Sequence, residues 1–291
     1  MPAYSISNNS ISITVNSLGA ELVSLKKSNT EILWQADKSI WNRSAPVLFP
    51  VVGKLKDNRF IYNNASFHMP QHGFARDEEF VLIGKENNVL EFELTASEHT
   101  LSLFPFHFSL RIRYELNANS LNIKYLVFNP ESKSMWFSIG AHPGFNCKRV
   151  TEESLNDYYL EFDNKKEITF EKLDNGLLSG QTSVLKLENS RLRLSRELFD
   201  NDALVLKNNQ VEKVTLSSSK SKERIILNCK DWPYFGIWCK TCCDAFVCLE
   251  PWYGIADSVN SNHQLSGKEG IIELQPYSTF TSVFSIEIAN S

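Results

Sequence analysis

Apolar and polar residues alternate without a break from Phe108 to Leu116 (FSLRIRYEL), the period of an extended chain that turns every second side chain toward a core. After the polar turn signal Asn117-Ala-Asn-Ser120 the alternation resumes over Leu121–Tyr125, so the two runs predict an antiparallel hairpin. Ser10–Val15, Glu31–Gln35, Phe80–Ile83, Val89–Thr95, Lys213–Leu216, Arg224–Asn228 and Phe280–Ile288 carry the same signal, whereas helical periodicity is nearly absent. Clusters of Asn, Asp, Ser and Gly separate the runs about every ten residues. The pattern predicts an all-β fold built as a large antiparallel β-sandwich. No exact repeat, composition shift or flexible linker interrupts it, and the expectation is one continuous domain over residues 1–291. Ser217-Ser-Ser-Lys-Ser-Lys222 reads as an exposed loop.

Length and composition narrow the function classes. The chain has 291 residues, of which 42% are hydrophobic, enough for two average domains or one large all-β domain. A net charge of −4 gives no footprint for nucleic acid, which needs clustered Lys and Arg against phosphates. The opening stretch MPAYSISNNSISITV lacks the basic and apolar regions of a signal peptide, and no run of about 18 apolar residues could span a bilayer. No membrane partner and a cytoplasmic location are therefore expected. Cys239, Cys242, Cys243 and Cys248 form a cluster that could be a metal site, but zinc sites usually have a second matched pair, and Cys147 and Cys229 stand alone. The flanks Phe235–Cys239 and Ala245–Leu249 read instead as two strands joined by a turn, with the cysteines as small buried hydrophobes. No metal is expected.

Three places combine ionisable groups with irregular backbone. They are Met69-Pro-Gln-His-Gly-Phe-Ala-Arg76, Ser138-Ile-Gly-Ala-His-Pro-Gly-Phe-Asn146 and Val247-Cys-Leu-Glu-Pro-Trp252. His142 and Glu250 each precede a proline, which biases them to extended backbone and to strand ends. An isolated histidine in a turn is structural more often than catalytic. Glu250 ends an apolar run, where an ionised carboxylate is costly unless a partner compensates. His68 and His72 have the spacing of a metal-binding helix, but Pro70 between them argues against one. No G-x-S-x-G elbow, phosphate loop or dinucleotide fingerprint is present. Two histidines and one carboxylate remain, a set suited to moving protons.

Taken in order, Gly53-Lys-Leu-Lys-Asp-Asn-Arg59, HGFAR at 72–76, LFPFHFSLRIRY at 103–114, AHPGFN at 141–146, CLEPW at 248–252 and ADSVN at 256–260 resemble the aldose 1-epimerases, or galactose mutarotases, and within them the LacX-like branch. The resemblance spans most of the chain. It implies a β-supersandwich that interconverts the α and β anomers of free hexoses such as galactose without a cofactor. It places Glu250 as catalytic base, His142 as acid and His72 as a second histidine at the ring oxygen. By the same resemblance Asn58 and Arg59 contact sugar hydroxyls, as does either Asp200 or Asp202, with Asp202 favoured. Trp232, Trp238, Trp252 and Phe145 are candidates to stack on the apolar face of a pyranose.

Hemiacetal opening needs a base at the C1 hydroxyl and an acid at the ring oxygen, and rotation and reclosure give the other anomer. Free-residue pKa values of about 4.3 and 6.5 would leave Glu250 ionised, with His142 protonated beside it. The spacer between Arg59 and His72 is shorter than in galactose mutarotases, and Trp252-Tyr-Gly replaces the usual residues after Glu250. Arg76 and Lys54 either face the cleft, where they could pair with the phosphate of a hexose 6-phosphate, or lie in solvated loops. The alternative function is a sugar-binding or regulatory protein on the same fold. The sequence leaves open whether the chain is a monomer or a homodimer.

Overall fold

The computed structural model describes residues 2–149, 152–240 and 244–290. Two large antiparallel sheets dominate. In the nine-stranded sheet the order is Arg191–Arg193, Tyr158–Phe162, Lys213–Ser218, Glu223–Asn228, Thr279–Asn290, Ser120–Phe128, Ser109–Asn117, Val89–Thr95 and Val81–Glu86. The predicted hairpin is present, with Asn117 paired to Ser120 and Ser109 to Phe128. Its alternation has the expected cause: Leu110, Ile112, Tyr114 and Leu116 are buried and the residues between them are not. The same core takes in Leu25, Phe92, Phe137, Val247 and Leu249, which belong to several different sheets.

The second large sheet has eight strands, in the order Leu177–Lys186, Glu167–Asp174, Leu204–Leu206, Tyr234–Trp238, Phe246–Tyr253, Ile139–Ala141 and Val47–Leu48, with Gly144–Asn146 also paired to Phe246–Tyr253. This sheet carries the site. Smaller sheets flank it: four strands at the N-terminus, the hairpin Arg59–Tyr62/Ala65–His68, and the pair Met135–Phe137/Ile272–Leu274. Glu98–Leu103 is the one α-helix among the described residues.

Three sequence expectations change. Of the run Glu31–Gln35 only Glu31 lies in a strand, Thr30–Glu31; beyond it the Glu31 carboxylate accepts the N–H groups of Leu25 and Leu33, and pairing narrows to a single bridge between Leu33 and Phe145. Ser217 and Ser218 are not in an exposed loop but buried at a strand end, where their hydroxyls donate to Glu161 and Glu153. Glu250 is not at a strand end either, since Phe246–Tyr253 runs through it and through Pro251. That proline is tolerated because the neighbouring ladder has a gap: it stops at Gly140–Trp252 and resumes at Gly144–Cys248. Pro143 falls in the same gap.

Candidate active site

The strand Phe246–Tyr253 is buried along almost its whole length, so its alternation is hidden in the sequence and visible only in space. Val247 and Leu249 enter the main core, while Phe246, Cys248, Glu250 and Trp252 share the opposite face. On one side Trp238, Gly236 and Tyr234 lie opposite Cys248, Glu250 and Trp252. On the other side, the register set by Gly140–Trp252 and Gly144–Cys248 brings His142 opposite Glu250. The two groups are thus a cross-strand pair. His142 Nε2 stands 3.1 Å from Glu250 Oε2.

That contact is close, yet it is not aligned as a hydrogen bond. Glu250 Oε2 and His142 Nδ1 are both buried without a hydrogen-bond partner. Buried polar atoms are normally satisfied, so unpartnered ones beside a cavity mark places where a ligand supplies the partner. Glu250 is 1% exposed. Burial drives its carboxyl well above the usual range, and the Asp202 carboxylate adds to this; the Trp252 indole N–H faces it and pulls the other way, though off hydrogen-bond geometry. Burial also pushes His142 down to about 3, with Arg76 and Arg43 adding to it against the pull of its own backbone, which raises it. The proton of the empty pair is therefore favoured on the carboxyl, the reverse of the assignment from free-residue values.

His72 approaches from a turn in which it adopts φ 67°. Its backbone N–H donates to Gly53 O at 2.9 Å, and the Gly53 N–H donates to Nδ1 at 3.1 Å. With Nδ1 accepting, the proton of the neutral ring sits on Nε2. Burial, followed by the fields of His142, Arg76 and Arg43, holds His72 well below the ordinary histidine value. Nε2–H then faces the Gln71 amide nitrogen at 3.3 Å, two donors that hydrogen-bond only if the Gln71 amide turns its oxygen to the ring. The His72 and His142 rings meet edge to face at 5.5 Å.

These groups line a cavity of about 290 Å³, walled by Trp41, Trp238 and Trp252. Trp41 lies 5.0 Å from the His142 ring and 5.6 Å from Trp238. Trp252 owes its place to missing side chains: a Cβ on Gly236 would come within 2.4 Å of its ring, and one on Gly140 within 2.6 Å. Next to Ala256 of the cavity wall, Asp257 clips two segments together. Its carboxylate accepts the Lys56 N–H at 3.0 Å and pairs with Lys268 at 3.3 Å, with both side chains about 95% buried. Lys268 also donates to Ile255 O, and the Asp257 N–H donates to Lys54 O.

A family model described as aldose 1-epimerase matches residues 2–283. The chain belongs to the aldose 1-epimerase family. A LacX protein of Lactococcus lactis is 35% identical, over 98% of this chain and 99% of the relative. A galactose mutarotase related enzyme of Lactobacillus acidophilus superposes with a TM-score of 0.95 at 34% identity, covering 99% and 98% of the two chains. A galactose mutarotase-like protein of Lactobacillus casei gives 0.91 at 30%, covering 99% and 100%. The galactose 1-epimerase of Lactobacillus acidophilus, at 15% identity and a TM-score of 0.74, shares the fold.

In this aldose 1-epimerase family member the expected residues separate into two groups. His72, His142, Glu250, Arg76, Asp202, Trp238 and Trp252 line one cavity. Asn58 and Arg59 do not: both are exposed, and Arg59 opens a hairpin in which it pairs with His68. Asp200 is off the cavity as well. Lys54 lies beside the site, its ammonium donating to Asn175 O at 2.9 Å. Trp232 and Phe145 are core residues; the Trp232 indole donates to Val283 O, and Phe145 is fully buried. Of the cysteines, 239 and 248 are buried, while 242 and 243 lie outside the described residues. Sequence reasoning missed Trp41, Gln71 and Lys240. For Gln71 a signal existed, since it adjoins His72; for Trp41, in an irregular stretch, there was none. No helix among the described residues is long and apolar enough to cross a membrane.

Proposed function

We propose that the protein is an aldose 1-epimerase acting on a hexose or hexose 6-phosphate by acid–base opening and reclosure of the pyranose. One observation carries the reading: His142 and Glu250 face each other at 3.1 Å with unpartnered atoms, in a cavity that also holds His72. Opening removes a proton from O1 and adds one to the ring oxygen, so the pair passes between two states with the same total charge. In one, Glu250 is a carboxylate and His142 an imidazolium; in the other, the carboxyl holds the proton and the imidazole is neutral. Burial favours the second, which is the state left once the ring is open. Because burial also holds the empty site in the second state, the bound sugar must first draw the pair into the charge-separated one, and opening of the ring returns it. The Nε2–H of His72 is placed to donate to a sugar oxygen, and the indoles offer apolar faces to the pyranose. Arg76 and Lys240 on the cavity wall supply positive charge for a 6-phosphate.

Anomer exchange of glucose, galactose and their 6-phosphates, followed by polarimetry or NMR, tests this directly. Acceleration over buffer is expected for at least one of the four. Glu250→Gln should lower kcat by about 10²–10⁴-fold, with a much smaller change in sugar affinity. Sugar-dependent thermal stabilisation without acceleration would favour a binding protein instead.

A further inference from the structure

Proton transfer leaves unused a buried thiol that stands beside the pair. Cys248 precedes Glu250 by two residues on the same strand face and packs among Trp34, Trp41, Trp238 and Phe246. Its Sγ, a ring nitrogen of His142 and a carboxylate oxygen of Glu250 all lie within 4.8 Å of one another. In a tetrahedral zinc site, with Zn–S near 2.3 Å and Zn–N near 2.0 Å, ligand atoms are ~3.5 Å apart, so side-chain rotation need close the widest gap by only about 1 Å. A second observation points the same way: Glu250 Oε2, the oxygen 3.1 Å from His142 Nε2, is buried without a hydrogen-bond partner. One nitrogen, one sulfur and one oxygen make a donor set suited to zinc and poorly suited to magnesium or calcium. Water from the cavity would fill the fourth position, and the Cys248 thiol and the Glu250 carboxyl would each give a proton to solvent as the Zn–S and Zn–O bonds form.

We propose that His142, Cys248 and Glu250 bind one zinc ion, and that zinc inhibits the protein by occupying the acid and the base of anomer exchange. The inhibitory half rests on the mutarotase reading above; the binding half does not.

The test uses the full chain, with cobalt(II) as an optical probe and zinc by calorimetry. One ion per chain is expected, with a thiolate-to-cobalt charge-transfer band and no response to magnesium. Cys248→Ser should abolish the band and weaken zinc by ~100-fold or more, beyond the 10–100-fold typical of outer-shell changes. The same variant should keep anomer exchange within about threefold of the parent and resist zinc inhibition. A band or full zinc affinity surviving in Cys248→Ser overturns the proposal, as does loss of binding in the Cys242→Ser/Cys243→Ser double variant, which would assign the metal to those two cysteines. Should Cys248→Ser not fold, His142→Gln serves: it should weaken zinc at least about tenfold, and unchanged affinity refutes the site. Zinc that binds without slowing anomer exchange refutes the inhibitory half alone. If zinc binds as described and no sugar is turned over, the mutarotase reading fails and the site stands.

Discussion

Glu250 and His142 carry opposite burdens of burial, and each leaves a signature in stability. The folded pKa of Glu250 is raised, so its contribution is complete below its unfolded value of about 4.3 and is lost as pH rises through the folded pKa. His142 is depressed to about 3, so it costs stability as pH falls from about 6.5 toward 3, where the unfolded chain binds a proton that the folded chain refuses. Glu250→Gln should therefore gain in Tm relative to the parent at pH 8 compared with pH 5, and His142→Gln the reverse. Thermal scans at the two pH values check this, and the opposite pattern would mean that the pair is charge-separated at rest. At this scale the sequence was informative for a reason. His142 and Glu250 stand in blocks whose prolines restrict the backbone, and restricted backbone is legible locally. Which of them holds the proton was not, because desolvation depends on the residues that surround the pair. Nor could sequence tell that Arg59 is exposed and off the cavity, since nothing in Asn58-Arg59 encodes how its hairpin docks.

The strand Phe246–Tyr253 shows where element-level reading stops. Its neighbours across the sandwich, such as Ser109–Asn117, have one face in the core and one outward, and their alternation was read directly. Phe246–Tyr253 is buried on both faces, so Phe-Val-Cys-Leu gives no period and the strand's continuation past Glu250 was missed. The gap in its ladder, which accommodates Pro251 and Pro143, exists only once three segments are assembled. The glycines beside it follow the same logic. Gly236 pairs with Glu250 and leaves the space that the Trp252 ring fills. Gly236→Ala should displace that ring, raising KM for the sugar by about tenfold, or ~1.4 kcal/mol, while kcat changes less. Steady-state kinetics together with tryptophan fluorescence would show it; unchanged fluorescence and KM would mean that the ring shifts without cost.

For the whole molecule, cohesion beside the site rests on a buried charge pair in loops, a feature invisible to any periodicity. Lys268→Met would leave the Asp257 carboxylate buried and uncompensated, and should destabilise the fold by about 3–5 kcal/mol in denaturant unfolding. The double variant with Asp257→Asn should recover part of that loss, because both charges are then gone. The predicted antiparallel sandwich is the observed architecture, since period-two patterning is a property of every strand that faces solvent. The strand order was not readable, because pairing between distant segments has no local signal. Thr279–Asn290 makes the point sharply. It lies in the middle of the nine-stranded sheet, between Glu223–Asn228 and Ser120–Phe128. During synthesis the two halves of that sheet must therefore wait, edges exposed, for a strand that leaves the ribosome after every other described strand. This protein completes its largest sheet only after translation has passed Asn290, and a chain stalled before Thr279 presents two open strand edges to whatever in the cell binds unfinished sheets.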